Sequence, residues 1–225
     1  MEIDPETNIG PSNLAQLRET GIGRFDFLPA LWEATSALVS SELENRFAGL
    51  KRLDESDSIR HNSLVTYLLT TRITEPDIEL RTRIVRALAN VLTPDEQGHL
   101  PPENVILNLC HYLSAMRTRQ IFALLQVTDF DPSTEPIVAL LLSYCSFAGN
   151  HLADILANRH APLTIRKRAA HFIGRIGFLD GLPYLVRLES RLEAHRDGRN
   201  SIIDESDELS LLPVIQNSLS LLQSP

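Results

Sequence analysis

The chain contains little of what strand-rich or disulfide-linked proteins depend on. Its 225 residues include only 10 glycines, two cysteines and one tryptophan, and aromatic residues make up 6%. Sheets need glycine at their turns and favour aromatic and β-branched side chains, whereas this chain repeats Leu and Ala at helical spacing, so an all-β fold is disfavoured. Cys110 and Cys145 lie in apolar helical runs, where a reduced thiol packs as a small hydrophobic group, and they do not indicate a disulfide framework.

Positive charge is also scarce. The formal net charge is -8, which repels a phosphate backbone unless the basic residues gather on one face, so nucleic acid is disfavoured as a partner. Lys51 and Lys167 are the only lysines, and arginine supplies the rest of the positive charge. Arginine suits interfaces and internal ion pairs because it forms bidentate contacts, although genomic base composition produces the same bias.

Long apolar runs are missing as well. No stretch approaches the roughly 20 apolar residues that cross a bilayer, so we expect no membrane partner. The acidic start of the chain, Met1 to Glu6, lacks the basic and apolar regions of a secretory signal. With 43% hydrophobic and 22% charged residues, the composition is typical of a folded protein. We therefore expect a folded cytoplasmic protein.

What the sequence does contain is an arginine-bearing amphipathic segment that recurs. Its clearest copy covers residues 164–177, and shifts of 85 and then 35 positions carry it onto residues 79–92 and 44–57. The first shift aligns Arg166, Arg168, Ala169, Ala170, Ile173 and Ile176 with Arg81, Arg83, Ile84, Val85, Leu88 and Val91. The second aligns Arg81, Val85 and Leu88 with Arg46, Leu50 and Leu53. Spacings of roughly 35 to 45 residues, with two amphipathic helices in each unit, are typical of an α-solenoid.

Three regions are predicted along the chain. Residues 1–27 form a polar lead-in with one short helix that begins at Ser12 or Asn13. Residues 28–195 form the repeat array, and residues 196–225 an acidic linker and a closing helix that caps the array. Apolar spacing and capping residues predict helices from 28 and over about 41–53, 58–72, 74–92, 163–176, 181–195 and 208–223. Residues 103–126 form one bent helix or two, 129–136 a turn, 137–148 an apolar helix that ends at Gly149-Asn150, and 151–158 a short helix.

The stretch from Ile165 to Leu192 carries Arg-x-Arg-Ala-Ala, Ile-Gly-Arg-Ile-Gly, an acidic turn at Asp180 and then Leu-Pro-Tyr-Leu-Val-Arg-Leu. In these features it resembles the HEAT-repeat family, and most closely the bacterial HEAT-like form also seen in phycobilin lyases. The first helix of such a repeat has a basic residue near its start, small residues where helices approach, and glycine at its end. The matching residues here are Arg166 or Arg168, Ala169, Ala170, Gly174 and Gly177. The resemblance implies an all-α, right-handed α-solenoid (superhelix) of HEAT-like helix pairs that acts as a protein-protein scaffold.

Basic residues are concentrated in and around this clearest copy. Five lysine and arginine residues, and no acidic residue, lie between Asp154 and Asp180. The predicted partner-binding residues are Arg166, Arg168, His171, Arg175, Arg187 and Arg191. Helical spacing places residues 168, 171 and 175 on one face, and residues 187 and 191 on one face of the next helix. Together they form either a basic ridge that holds an acidic protein segment or phosphate, or ion pairs between repeats and solvated charges, which is the commoner arrangement.

The chain has none of the spacings that common catalytic motifs require. Gly-x-Ser-x-Gly, a phosphate-binding glycine loop and His-Glu-x-x-His do not occur in the sequence. A metal site is conceivable only with Cys110, His111, Cys145 and His151. Because adjacent residues of a helix point about 100° apart, the first two do not easily share one ion. We therefore predict no enzyme, no cofactor and no metal.

Two alternatives to a scaffold follow from the same resemblance. A HEAT-like DNA-binding protein or alkylpurine DNA glycosylase needs a cationic concave face and aromatic side chains near an extruded base. Trp32 lies next to Glu33, away from the basic residues, and we expect it in the hydrophobic core. A phycobilin-lyase-like chaperone of a chromophore is the second alternative, but no residues mark a tetrapyrrole pocket. The preferred prediction is a non-enzymatic scaffold or adaptor that binds another protein through a concave helical face.

Overall fold

The structure, a computed structural model, describes residues 28–197 and 208–223, and these contain helices and no strand. The α-helices in these ranges are α1 (Leu28–Leu38), α2 (Leu43–Glu55), α3 (Ser58–His61), α4 (Ser63–Thr71), α5 (Ile78–Val91), α6 (Glu103–Ser114), α7 (Thr118–Phe130), α8 (Glu135–Ser143), α9 (Ala148–Ala157), α10 (Leu163–Ile176), α11 (Leu182–Arg196) and α12 (Leu212–Gln223). Short 3-10 turns at Pro132–Thr134, Leu179–Gly181 and Glu208–Leu211 lead into α8, α11 and α12. The predicted all-α fold is confirmed for this part of the chain. The lead-in of residues 1–27, with its predicted helix at Ser12 or Asn13, and linker residues 198–207 lie outside the described residues.

Helices pack mainly against helices that lie near them in the chain. α2, α5, α7, α10 and α12 form a row in which each helix contacts the next. They begin at residues 43, 78, 118, 163 and 212, so the steps between them grow from 35 to 49 residues. Beside the row, α1 packs on α2, α4 on α6, α9 on α10 and α11 on α12. The three copies of the arginine-bearing segment thus fall on members of one row.

The helices of the row are amphipathic, and their apolar stripes build the core. In α5, Leu80, Ile84, Leu88 and Val91 recur at three- and four-residue spacing, and all four are fully buried. Each such side chain stabilises the packing by about 1.5–3 kcal/mol. α5 is capped by Asp77, whose side chain accepts a hydrogen bond from the Leu80 amide (2.8 Å). Among the described residues, no helix is sufficiently long and apolar to cross a membrane.

Two glycines, one within α10 and one directly after it, have different structural roles. Gly177 ends the helix with a φ of 89°, a left-handed conformation that glycine adopts without strain, as predicted. Gly174 lies where the backbone of α12 passes close by, since a Cβ on residue 174 would lie 2.5 Å from the Cα of Ser218. At the same crossing the Ser218 hydroxyl donates to the carbonyl of Ala170 (2.8 Å). The small residue therefore permits a close helix-helix contact.

The structure divides two regions that the apolar pattern left continuous or open. Residues 103–126 belong to two helices, α6 and α7, which are separated at residues 115–117. The helix predicted over residues 58–72 is broken at Asn62. The side chain of Asn62 accepts hydrogen bonds from the amides of Leu64 and Val65 (3.0 and 3.4 Å), and so caps a new helix, α4.

The prediction that Gly149 and Asn150 end a helix is wrong. α8 ends at Ser143, and both residues lie in the first turn of α9. There the carboxylate of Asp180 accepts a hydrogen bond from the Asn150 amide (3.0 Å). A Cβ on residue 149 would lie 1.9 Å from Oδ1 of Asp180. A side chain at residue 149 would displace the Asp180 carboxylate from this contact, so the glycine makes room for a side chain from the turn before α11 and does not end a helix.

The prediction that Trp32 lies in the core is also wrong, because its side chain is 74% exposed. α1 faces α2 through Ala34 and Leu38, which are buried. Gly49 of α2 allows this approach, since a Cβ there would lie 2.5 Å from the Leu38 amide nitrogen. Residues 32 and 34 are about 200° apart on a helix, so Trp32 lies on the side that faces away from α2.

Ile173→Asp should unfold the region around α10. Ile173 is fully buried, and an unpaired carboxylate at this position costs more than about 3 kcal/mol. Circular dichroism and thermal unfolding measure the effect. Arg187→Asp is the control, because it places the same side chain at an exposed position of α11 and should leave the melting temperature nearly unchanged. An Ile173→Asp protein with wild-type helicity and melting temperature would contradict the core assignment.

Candidate partner-binding surface

The repeated helices each carry one arginine that is directed into the protein. It is Arg46 in α2, Arg81 in α5 and Arg166 in α10, at positions that the repeat spacing aligns. Nη2 of Arg46 donates to Oε1 of Glu75 (2.9 Å). Nε of Arg81 donates to the backbone carbonyl of Glu75 (2.6 Å). Nη1 of Arg81 also donates to Oε1 of Gln126 on α7 (2.7 Å). The half-buried Arg46 therefore connects α2 to the segment before α5, and the buried Arg81 connects α5 to α7.

Arg166 makes the corresponding connection at the other end of the row. Its residue surface is only 3% exposed, and its Nε donates to the carbonyl of Leu156 (2.9 Å). Its Nη1 lies 2.7 Å from Oε1 of Glu208, which precedes α12. Arg191 of α11 and Arg159 reach the same carboxylate at 3.1 and 3.8 Å. We call these residues the Glu208 cluster, and it joins α10 and α11 to the turn before α12.

A second set of basic residues lies on the opposite side of the same helices. Positions 168 and 171 of α10 align with 83 and 86 of α5, and position 86 aligns with 51 of α2. We call this set the basic face, and its members are Lys51, Arg83, Arg86, Arg168, His171 and Arg175. All six are exposed or half-buried. Solvent and other molecules can therefore reach the basic face, in contrast to the buried arginines.

Side-chain contacts join the basic face across successive helices. The guanidinium of Arg83 lies 4.9 Å from the ring centroid of Phe47 on α2. Nη2 of Arg86 donates to Oδ2 of Asp131 (2.7 Å), in the turn before α8. This turn leads into α8 at Glu135, which contacts the cations of α10. The basic face is thus one surface that extends from α2 over α5 to α10.

Three of the six predicted partner-binding residues meet at Glu135. His171 Nε2 and Arg175 Nη1 lie 2.9 and 2.5 Å from its Oε1, and Arg168 Nη1 lies 3.7 Å from its Oε2. Burial disfavours the charged carboxylate, but the hydrogen bond from His171 and the nearby positive charges outweigh burial. The pKa of Glu135 is therefore below its ordinary value. Asp129, 4.0 Å from Arg168, adds a second negative charge to this Glu135 cluster.

The other three predicted residues lie elsewhere. Arg166 and Arg191 belong to the Glu208 cluster, on the opposite side of α10. Arg187 is exposed, and its Nε donates to the carbonyl of Pro183 in its own helix (3.2 Å). The structure therefore does not assemble the six residues into one ridge. Because Arg166 is buried, we assign it to internal packing, as in the alternative interpretation of ion pairs between neighbouring units.

Sequence reasoning missed the part of the basic face that lies on α2 and α5. A usable signal was present, because a shift of 85 positions from Arg168 and His171 leads to Arg83 and Arg86. It also missed an open groove of about 240 Å³ between these two helices. Its lining includes Phe47, Leu50, Lys51, Arg83, Arg86 and Ala87. The groove is formed by two helices 35 positions apart, and no local pattern indicates it.

The cysteines and histidines considered for a metal site do not form a set of ligands in the described part of the chain. Among the described residues, no group of three or more His, Cys, Asp or Glu side chains is suited to hold a metal ion. Sγ of Cys145 contacts the carbonyl of Met116 (3.7 Å), and Nδ1 of His151 lies 2.9 Å from the Thr118 hydroxyl. Burial raises the pKa of Cys145 and of Cys110. Neutral thiols of this kind suit packing rather than ligation or nucleophilic attack.

No protein-family model matches this chain, and no curated protein and no solved structure matches it. The HEAT-repeat resemblance therefore rests on the repeated segment alone.

Removing Glu208 should cost more stability than removing Glu135. Glu208→Ala leaves the buried guanidinium of Arg166 without its anion, and breaking such a pair costs about 3–5 kcal/mol. Glu135→Ala leaves cations that water can solvate, so the expected loss is about 1 kcal/mol or less. Urea unfolding of both variants measures the difference. Equal losses would contradict the division into buried and accessible arginines.

Glu135→Gln should lower the free energy of unfolding less at low pH than at neutral pH. The folded-state pKa of Glu135 lies below the ordinary value of 4.5, so its charged form stabilises the fold above about pH 4.5. This contribution is lost as the pH falls through the folded-state pKa. The wild type and the Gln variant should therefore differ most in free energy of unfolding at pH 5.5 and progressively less at pH 4.5 and 3.5. A difference that stays constant over this range in urea unfolding would show that the carboxylate charge is not responsible.

Proposed function

We propose that the chain is a HEAT-like repeat scaffold, a right-handed α-solenoid that binds another protein along a concave face and catalyses no reaction. The row α2, α5, α7, α10 and α12 supports this proposal, because each member contacts the next and the steps between them begin at 35 residues. In a solenoid each unit touches mainly its neighbours, so the binding surface spreads over several units. We place this activity in the cytoplasm.

The single observation that carries the proposal is the two-sided use of cations in the repeated helices. Arg81 and Arg166 are buried, Arg46 is half-buried, and all three are engaged by groups of the protein itself. The cations of the basic face instead pair with carboxylates that are themselves partly exposed, such as Asp131 and Glu135. Exposed ion pairs contribute only about 0–1 kcal/mol, so a partner can exchange them for its own carboxylates at little cost.

Binding by this surface depends on shape and charge. A protein with a net charge of -8 repels acidic molecules at long range, so the basic face must act at close approach. Arginine is suited to that task because its planar group binds carboxylates in a bidentate manner. We infer that the partner presents acidic side chains to α5 and α10, and that nucleic acid is disfavoured.

Arg168→Gln combined with Arg175→Gln should abolish partner capture without unfolding the protein. Glutamine removes both charges and avoids repulsion from Glu135. Affinity purification from the native host with quantitative mass spectrometry identifies the partner, and circular dichroism checks the fold. The control pair, Arg119→Gln with Arg187→Gln, removes the same charge from exposed positions outside the basic face and should capture as the wild type does. Equal capture by both pairs, or no enriched protein, would contradict the proposal.

A further inference from the structure

The groove between α2 and α5 has an apolar floor. Leu50 and Ala87 are buried at its base, and the half-buried ring of Phe47 forms one wall. Its volume of about 240 Å³ is below the roughly 300–1,000 Å³ of pockets that enclose small-molecule ligands. The groove is also open to solvent. Such a site accommodates one apolar side chain presented by a longer molecule rather than an enclosed ligand.

The rim of the groove is cationic. Lys51, Arg83 and Arg86 line it, with Asp54 as the single acidic lining residue. Lys51 lies 3.6 Å from Glu55, and both side chains are more than half exposed. Arg83 pairs with Glu79 at 2.7 Å in an equally exposed position. Because water screens such pairs, the rim cations can turn to an incoming carboxylate without leaving a buried charge unpaired.

We propose that this groove binds a short acidic segment of the partner protein that carries one apolar anchor residue. The inference rests on the proposed scaffold function and specifies the partner's chemistry. The anchor contacts Leu50 and Ala87 on the floor, while flanking carboxylates bind Lys51 and Arg83, whose present ion pairs are the exposed ones. Both parts are needed, because the apolar floor supplies affinity by removing surface from water and the cations fix which segments are accepted.

An acidic peptide fits this site better than a nucleic acid strand. The net charge of -8 repels any polyanion, and a nucleic acid strand offers no aliphatic side chain to fill the apolar floor. Binding by base stacking uses exposed aromatic faces, but the groove is lined by one aromatic residue, the half-buried Phe47, and the guanidinium of Arg83 lies 4.9 Å from its ring centroid. The chemistry of the groove therefore favours carboxylates with an aliphatic or thioether anchor.

Fluorescein-labelled peptides of the form Glu-Glu-Asp-X-Asp-Glu-Glu test the proposal, where X is Leu, Met, Phe or Ser. Fluorescence anisotropy measures binding to the full chain. We expect the best apolar peptide to bind at least tenfold more tightly than the Ser peptide, because only the apolar side chain fills the floor. In ¹H-¹⁵N spectra, the largest shifts should fall on amides around Leu50 and Ala87. Added salt should weaken binding.

Matched double variants distinguish binding at the groove from a general effect of the protein's net charge. Lys51→Glu with Arg83→Glu should weaken binding of the apolar peptide at least tenfold. Arg52→Glu with Arg119→Glu changes the net charge equally at exposed positions outside the groove and should weaken binding twofold or less. If the first variant is unstable because new carboxylates face Glu55 and Glu79, Lys51→Gln with Arg83→Gln replaces it and should still weaken binding severalfold.

Four outcomes would overturn the proposal. The first two are that no peptide binds with a dissociation constant below 1 mM, and that the Ser and apolar peptides bind equally. The other two are that the groove and control variants weaken binding equally, and that a short oligothymidylate displaces the labelled peptide at a lower concentration than the unlabelled peptide does. Failure of every peptide, with partner capture through Arg168 and Arg175 intact, removes the groove and leaves the scaffold. Peptide binding without any captured protein supports the groove and argues against the proposed scaffold function.

Discussion

Arginines at aligned positions of three helices link neighbouring helices of the row, and two of the three are buried while Arg46 is half-buried. Arginine stays charged in proteins, so a buried arginine must meet an acceptor or an anion. Glu75 and Gln126 accept hydrogen bonds from two of these arginines, and Glu208 forms an ion pair with the third. Each partner lies in the next helix of the row or in the segment that leads to it, so these contacts constrain how α2 meets α5, how α5 meets α7 and how α10 meets α12.

This constraint explains why the repeated helix has two kinds of basic residue. One side of the helix is committed to internal bonds, and the residues about 200° away from it face outward. On that outward side, Arg83 contacts α2, Arg86 contacts the turn before α8, and Glu135 collects the cations of α10. Internal packing and the accessible surface therefore occupy opposite sides of the same elements, and substitutions on the basic face should have little effect on the core.

The sequence predicted the helices wherever apolar periodicity was strong, as in α5 and α10, because burial of one stripe dominates their packing. It failed where a tertiary contact decided the outcome. Gly149 resembles a helix end, but it makes room for a side chain distant in the chain. Trp32 resembles a core residue, but its neighbours in α1 already fill the contact with α2. The carboxylates Glu135 and Glu208 could not be identified as partners of the arginines, since nothing in a single sequence indicates which acid a given cation will meet.

Arginine footprinting with phenylglyoxal, read by mass spectrometry with and without the captured partner, tests the two-sided arrangement most directly. The reference arginines are Arg52, Arg119 and Arg187, which are exposed and lie outside the basic face. We expect protection by the partner at Arg83, Arg86, Arg168 and Arg175, no change at the reference arginines, and slow reaction in both states at the buried Arg81 and Arg166. Rapid modification of Arg81 and Arg166, or a bound partner that leaves the basic face as reactive as before, would contradict the two-sided arrangement.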